Sequence, residues 1–209
     1  MSLSAPAPEA LLFDCDGTLV DSLPLYLDAW LDSLKTLAGL HIPPGWFGDK
    51  GGLSELRLLE TVEREFGVSF DHAAFLGHAR EGVLARMKSV DEMLSVTRIV
   101  RRFAGRLPVA VVSNGPRDVV TASLQAVGLH DLFPVIVTVE DVQKPKPAPD
   151  PYLLAARMLE VAPENCIVFE DSSEGLTAAR AAGMRAVNVR IPDWEATLWK
   201  DTAPALAGL

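Results

Sequence analysis

Ala10-Leu11-Leu12-Phe13-Asp14-Cys15-Asp16-Gly17-Thr18-Leu19-Val20 is the stretch on which the reading of this chain turns. It opens with an unbroken apolar run and no polar alternation, as a strand covered on both faces requires. The run then meets two acids and a glycine, the composition of a strand end passing into a tight loop. A strand buried on both faces belongs to a parallel sheet with helices packed above and below it, so the expectation is an α/β protein.

The same pattern recurs downstream. Leu107 to Val112 is apolar and ends in Ser113-Asn114-Gly115-Pro116; Val135 to Val139 is a third strand; Cys166 to Phe169 ends in Glu170-Asp171-Ser172; Ala186 to Val189 is a fifth. Helical spacing separates them. Val119, Val120, Leu124 and Val127 form one stripe, with Pro116 in the first turn and Gly128 closing the helix. Asp150-Pro151 reads as N-cap and first-turn residue of YLLAARMLEV, and a helix over about Ser173 to Ala182 stops at Gly183. Strands alternating with helices imply right-handed crossovers and a three-layer sandwich around a parallel, Rossmann-like sheet.

From about Ser22 to Lys88 the pattern is helical throughout. Leu27, Trp30, Leu31, Leu34, Leu37 and Ala38 recur at helical spacing, as do Leu56, Leu59, Val62 and Phe66, and then Phe75, Ala79, Val83 and Met87. A Pro- and Gly-rich loop, HIPPGWFGDKGG, lies between the first two stripes and carries Trp46, Phe47 and Lys50. The domain division is therefore 1–20 with 89–209 for an α/β core, and 21–88 for an inserted α-helical cap. A further helix from about Val90 to Phe103 leads back to the sheet. An insertion leaving after the first strand is expected above the carboxyl ends of the strands, where open α/β folds bind ligands.

Composition bounds the function. The 209 residues are 49% hydrophobic and 22% charged, in the range of a soluble globular protein, and the formal net charge is −9. That charge argues against a nucleic-acid partner, which needs a basic face. A small anionic substrate demands local positive charge from a metal, a lysine or a helix N-terminus. Cys15 and Cys166 are the two cysteines, both in apolar runs, which fits a reducing cytoplasm better than a disulfide framework. Met1 to Pro8 read as a loose tail without signal-peptide character, and no apolar stretch is long enough for a membrane span.

Parallel strands place the polar clusters Asp14-Cys15-Asp16-Gly17-Thr18, Ser113-Asn114-Gly115 and Glu170-Asp171-Ser172 at one sheet edge, joined by the basic segment Lys144-Pro145-Lys146-Pro147. Carboxylates gathered this closely repel unless a cation lies between them, and a hard ion such as Mg²⁺ is the natural occupant. Asp14 and Asp171 are the ligand candidates. The same carboxylate of Asp14 suits attack on phosphorus, with Asp16 placed for general acid and base work. Gly17, Thr18, Asn114, Gly115 and Lys50 are candidates for substrate contact, and Ser113 and the amides after it for holding phosphate oxygens.

The segments DCDGTLVDS, SNG, KPAPDPY and FEDSSEG resemble, in order and spacing, the four motifs of the haloacid dehalogenase superfamily. The helical insertion after the first motif is similar to the β-phosphoglucomutase and phosphoglycolate phosphatase branch. The resemblance covers about Leu11 to Asn188 and implies an Mg²⁺-dependent phosphatase of a small phosphorylated metabolite, acting through an aspartyl phosphate. It implies Asp14 as nucleophile, Asp16 as acid, base and metal ligand through its carbonyl, and Ser113 as phosphate-binding hydroxyl. Lys146, rather than Lys144, matches the family's lysine, Asp171 the metal-binding acid and Glu170 a second acid, direct or through a water. A cytoplasmic monomer whose cap opens to admit substrate completes the expectation.

Blander readings stand beside these. Acid pairs often cap helices, Ser-Asn-Gly is commonly a plain turn, and KPKPAPDP also suits a stiff helix entry. Cys15 is expected to be a buried spacer, and His41, His72, His78 and His130 structural or exposed. Trp46 and Phe47 either meet substrate, with Arg57 a weaker candidate, or anchor their loop to its own helices. The rival functions are a β-phosphoglucomutase-like phosphomutase, a haloacid dehalogenase and a non-catalytic phospho-accepting module.

Overall fold

The computed structural model describes residues 7–47, 55–196 and 198. These divide into two compact units: residues up to Asp21 together with those from Asp91 onward, and Ser22–Val90.

The first unit is built on a five-stranded parallel sheet. Its strands are β1 (Ala10–Phe13), β4 (Val109–Val112), β5 (Val135–Val137), β6 (Cys166–Glu170) and β7 (Arg185–Asn188), arranged in the order β5-β4-β1-β6-β7. A two-stranded antiparallel ribbon of β2 (Val20–Asp21) and β3 (Asp91–Glu92) lies where the chain leaves for the helical unit and returns from it. The sequence reading has a helix beginning at Val90; the helix α4 (Leu94–Phe103) starts only after this ribbon. Two-residue strands carry no periodicity, which is why the ribbon has no signature.

Connection direction decides which face each helix covers. The chain moves one way along the sheet through α4 and α5 (Arg117–Ala126) and the other way through α6 (Asp150–Met158) and α7 (Ser173–Ala181). Right-handed crossovers taken in opposite directions fall on opposite faces. Consistently, Tyr152, Ala155 and Ala156 of α6 and Ala178 and Ala179 of α7 share one core with Ala10, Leu12, Ala110, Val112 and Val168 of the strands. The alternate residues point the other way, where Phe13 stacks on Phe169 with ring centroids 4.8 Å apart.

Two further helix ends differ from expectation, and at the first Pro116 is the N-cap of α5 rather than a first-turn residue. Asp150 is the first residue of α6 rather than its cap; Pro149 is the N-cap and offers no side-chain bond. Proline in the first turn makes up for this, because it has no N–H to satisfy. Ser172 does cap α7, accepting from the Gly175 N–H.

The second unit contains α1 (Leu23–Ala38), α2 (Glu55–Phe66) and α3 (His72–Arg86). Its interior is formed by Trp30, Leu34, Ile42, Leu59, Val62, Phe75 and Ala79. Leu37, Leu56 and Phe66, expected on the buried stripes, are exposed instead. Asp71 caps α3 by accepting from the Ala74 N–H, and α1 ends at Gly39 in the left-handed conformation. No helix among the described residues is long and apolar enough to cross a membrane.

Candidate active site

Three adjacent central strands deliver the polar groups. Phe13, the last residue of β1, is in register with Val111 of β4 and Phe169 of β6, so Asp14 follows alongside Val112 and Glu170. Alternation turns Asp14 and Glu170 toward the α6 and α7 side, while Phe13 and Phe169 stack on the other. Cys15 is turned away and fully buried, its backbone carbonyl accepting from the Leu19 N–H at 2.8 Å. Both cysteines are free thiols.

Lys146 joins these strands from beneath. Its ammonium donates to Asp14 Oδ1 at 2.8 Å, to the Val112 carbonyl at 2.8 Å and to Glu170 Oε1 at 2.6 Å. All three N–H directions of an ammonium are thereby used. Lys144, two residues earlier, is exposed. The Lys146 loop is tied down by Asn114: the Lys146 N–H donates to Asn114 Oδ1, and the Asn114 amide donates to the Lys146 carbonyl, each at 3.0 Å. Asn114, expected among the substrate contacts, thus has its side chain engaged in holding the lysine.

Glu170 is saturated. Oε1 accepts from Lys146 and from the Tyr152 hydroxyl at 3.0 Å. Oε2 accepts from the Asp171 and Ser172 N–H groups, each at 3.0 Å, and from Ser172 Oγ at 2.9 Å. A carboxylate offers about four lone-pair sites, so direct ligation of a metal by Glu170 would require one of these donors to leave. Room for this arrangement comes from Gly175 in α7, where a Cβ would lie 1.7 Å from Glu170 Oε1.

Asp16 is half-buried; Ser113 Oγ lies 3.4 Å from its Oδ2 and accepts from the Gly115 N–H at 2.9 Å. Gly17 adopts φ +81°, and a Cβ there would stand 2.4 Å from Asp171 Oδ2, so only glycine permits this close approach. Thr18 does not fit its expected part. It is fully buried and its hydroxyl has no hydrogen-bond partner among the described residues, which makes it a core residue of the loop rather than a surface for substrate. Lys50 lies outside the described residues.

Burial and mutual proximity move the charges of the rim away from their ordinary values. Burial, then the neighbouring Glu170, pushes the Asp14 carboxyl well above the usual carboxylate range, against the pull of Lys146. Burial alone would lower the Lys146 ammonium, but Asp14, Tyr152 and Glu170 outweigh it and hold it well above its ordinary value. Burial also opposes ionisation of Glu170, yet Lys146 and the Ser172 donors keep it low. Asp171 is raised by burial despite Arg190 beside it. Lys146 and Arg190 together fall short of neutralising Asp14, Glu170, Asp171 and the nearby Asp16, and Asp14, Glu170 and Asp171 present oxygens all within 4.8 Å of one another. An oxygen-rich, charge-deficient cradle lined by a glycine fits a hard divalent cation.

In the helical unit, Trp46 donates to Glu65 Oε2 at 2.8 Å and packs edge-on against Phe47 and Phe66. The histidines are local: His78 bonds Ser33 at 2.8 Å, His72 bonds Glu63 at 3.0 Å, His130 bonds Asp131 at 3.1 Å, and His41 is exposed. Two rim residues escaped the sequence reading as site candidates, Tyr152 and Arg190. Arg190 carries a signal of the same kind as the other polar strand ends, since it follows the end of β7. Tyr152 had a weaker signal, a phenol two residues inside a buried helix face.

A parallel sheet whose central strands end in a buried Asp-Lys-Glu network, with a second acid beside it, defines a class of phosphoryl-transfer hydrolases. Residues 8–183 match the family of haloacid dehalogenase-like hydrolases, and the chain belongs to that family as a phosphohydrolase centred on the Asp14 cluster. It is 32% identical over 190 residues to the fructose-1-phosphate phosphatase YqaB of Escherichia coli, covering 87% of this chain and 96% of that one. It is also 32% identical over 196 residues to hexitol phosphatase A of the same organism, covering 88% and 84%. Among solved structures, CbbY from Rhodobacter sphaeroides in complex with phosphate superposes with a TM-score of 0.71 at 27% identity, covering 86% of this chain and 84% of that chain.

Proposed function

We propose that the protein is an Mg²⁺-dependent phosphatase of a small sugar or polyol phosphate. The observation that carries this is the Lys146 ammonium bonded at once to Asp14, Glu170 and the Val112 carbonyl, with Asp171 alongside. The activities of the relatives, on fructose 1-phosphate and hexitol phosphates, support the substrate class.

Lys146 fixes Asp14 through Oδ1, which leaves Oδ2 to attack phosphorus. The new Oδ2–P bond forms as the bond from phosphorus to the ester oxygen breaks, and Asp16 gives that oxygen a proton. Asp16 then takes a proton from water as the water oxygen attacks phosphorus; the Asp14–phosphorus bond breaks and phosphate leaves. The Ser113 hydroxyl, which itself accepts from the Gly115 N–H, supplies a donor to a remaining phosphate oxygen. Asp14, the Asp16 carbonyl and Asp171 would hold Mg²⁺, with Glu170 keeping Lys146 in place. When bound, the ion supplies charge neutralisation that lets an anionic carboxylate approach an anionic phosphate. The helical unit as a substrate-selecting cap belongs to the same proposal and rests on the sequence resemblance.

The test is a panel of phosphomonoesters that includes fructose 1-phosphate and hexitol phosphates, assayed with Mg²⁺ and with chelator. Asp14→Asn is expected to lower turnover by at least about a thousandfold. Activity that persists in the variant, or that chelator leaves intact, would falsify the mechanism.

A further inference from the structure

Arg190 stands on the turn after β7 and reaches inward to Asp171. Its Nε lies 2.9 Å and its Nη2 2.6 Å from the same oxygen, Oδ2. The arginine is anchored at its backbone, where its N–H donates to Asn188 Oδ1 at 2.9 Å, and Asn188 is in register with Glu170. The Asp171 side chain is 7% exposed and that of Arg190 57% exposed, so a solvated cation covers a buried acid. Asp171 lies directly against Gly17, on the cradle described above.

We propose that Arg190 is a built-in competitor for the divalent cation, pairing with Asp171 Oδ2 and weakening the site's affinity for the ion. This rests on the reading of Asp14 and Asp171 as metal ligands. Two donors converging on one oxygen neutralise the acid as a cation would. A divalent ion arriving there must either share the carboxylate with a guanidinium a few ångströms away or displace it. Sharing costs like-charge repulsion and displacement costs the paired hydrogen bonds, so both routes subtract from metal affinity. Displacement is open because more than half of the Arg190 side chain already faces water. The opposite idea, that Arg190 orients Asp171 as a ligand, predicts the opposite sign.

The experiment is calorimetric titration with Mg²⁺, and Mn²⁺ titration followed by electron paramagnetic resonance, without substrate. The wild-type protein, Arg190→Gln, Arg190→Lys and the exposed-charge control Arg157→Gln are compared. Arg190→Gln is expected to bind either ion about tenfold more tightly, the scale on which a neighbouring charge alters the affinity of a carboxylate for a proton. Arg190→Lys falls between it and wild type, and Arg157→Gln matches wild type. In chelator Arg190→Gln should melt below wild type, and saturating Mg²⁺ should close that gap. Equal or weaker binding by Arg190→Gln overturns the inference while leaving the metal site standing. Absence of binding by the wild-type protein overturns the metal site and this inference together. Should Arg190→Gln fail to fold, the Arg190→Lys comparison decides the sign.

Discussion

The rim of the α/β unit and the interior of the helical unit are both buried, yet they are held by different physics. At the rim, Asp14, Lys146 and Glu170 are shielded from water and persist there because each is bonded to another. In the helical unit the interior is Trp30, Leu34, Leu59, Val62 and Phe75, and the pairs Trp46–Glu65 and His72–Glu63 lie toward its surface. Buried charge demands pairwise geometry, since an unpartnered member has no water to fall back on. A hydrophobic interior asks mainly for volume and shape, and tolerates exchange of one apolar residue for another of similar size. Chemistry is therefore pinned residue by residue in one unit, and packing is negotiable in the other.

Lys146→Met should break the contrast most visibly. It strands two buried carboxylates and is expected to destabilise the α/β unit by about 3–5 kcal/mol, measured by urea unfolding, with phosphatase turnover falling by at least about a hundredfold. A variant as stable as wild type would show that the rim is not held by its charges. Leu59→Ala sharpens the comparison from the other side. Its cavity should cost about 3 kcal/mol, confined by hydrogen exchange to α1, α2 and α3, with Mn²⁺ affinity unchanged. If Mn²⁺ affinity drops in step with that stability loss, the two regions are not energetically separate.

The smallest effect is expected at Asp141, where a charge near the surface does cap work. Its Oδ2 accepts from the Thr138 N–H at 2.7 Å and the Thr138 hydroxyl at 3.0 Å, and it pairs with Arg117. Burial pushes this carboxyl up, but the Thr138 donors and Arg117 outweigh burial and hold it below the usual aspartate range. A depressed pKa means stability that is present above the unfolded value and lost as pH falls through the folded one. Asp141→Asn should cost about 1 kcal/mol at pH 7, and urea midpoints of variant and wild type should converge in acid. A gap that persists at pH 3 would show that the carboxylate charge is not its source.

Much of this was legible from residues alone where one-dimensional pattern maps onto three dimensions. Apolar runs ending in polar clusters located β1, β4 and β6, and their shared edge brought Asp14, Ser113 and Glu170 into one neighbourhood. Order in the motif favours Lys146 over Lys144 without separating the doubled lysines of KPKP, and in the structure Lys146 is the one bonded to Asp14. What escaped depends on pairwise hydrogen bonding, which has no period. Asn114 turned to the Lys146 backbone, Glu170 took up its full set of donors, and Thr18 went into the core. Arg190 has another reason for being hidden: it follows β7, an edge strand two places from β1, and reaches the rim only through its long side chain.

The first turn of α7 and the Glu170 carboxylate claim the same space, and they coexist because position 175 bears a hydrogen where any other residue would bear a carbon. The placement of the lysine that steadies the nucleophile is thus inherited from a residue that touches neither phosphate nor ion. A search for reactive side chains passes over such a position, although the smallest possible enlargement there would unseat the reaction centre through its foundation.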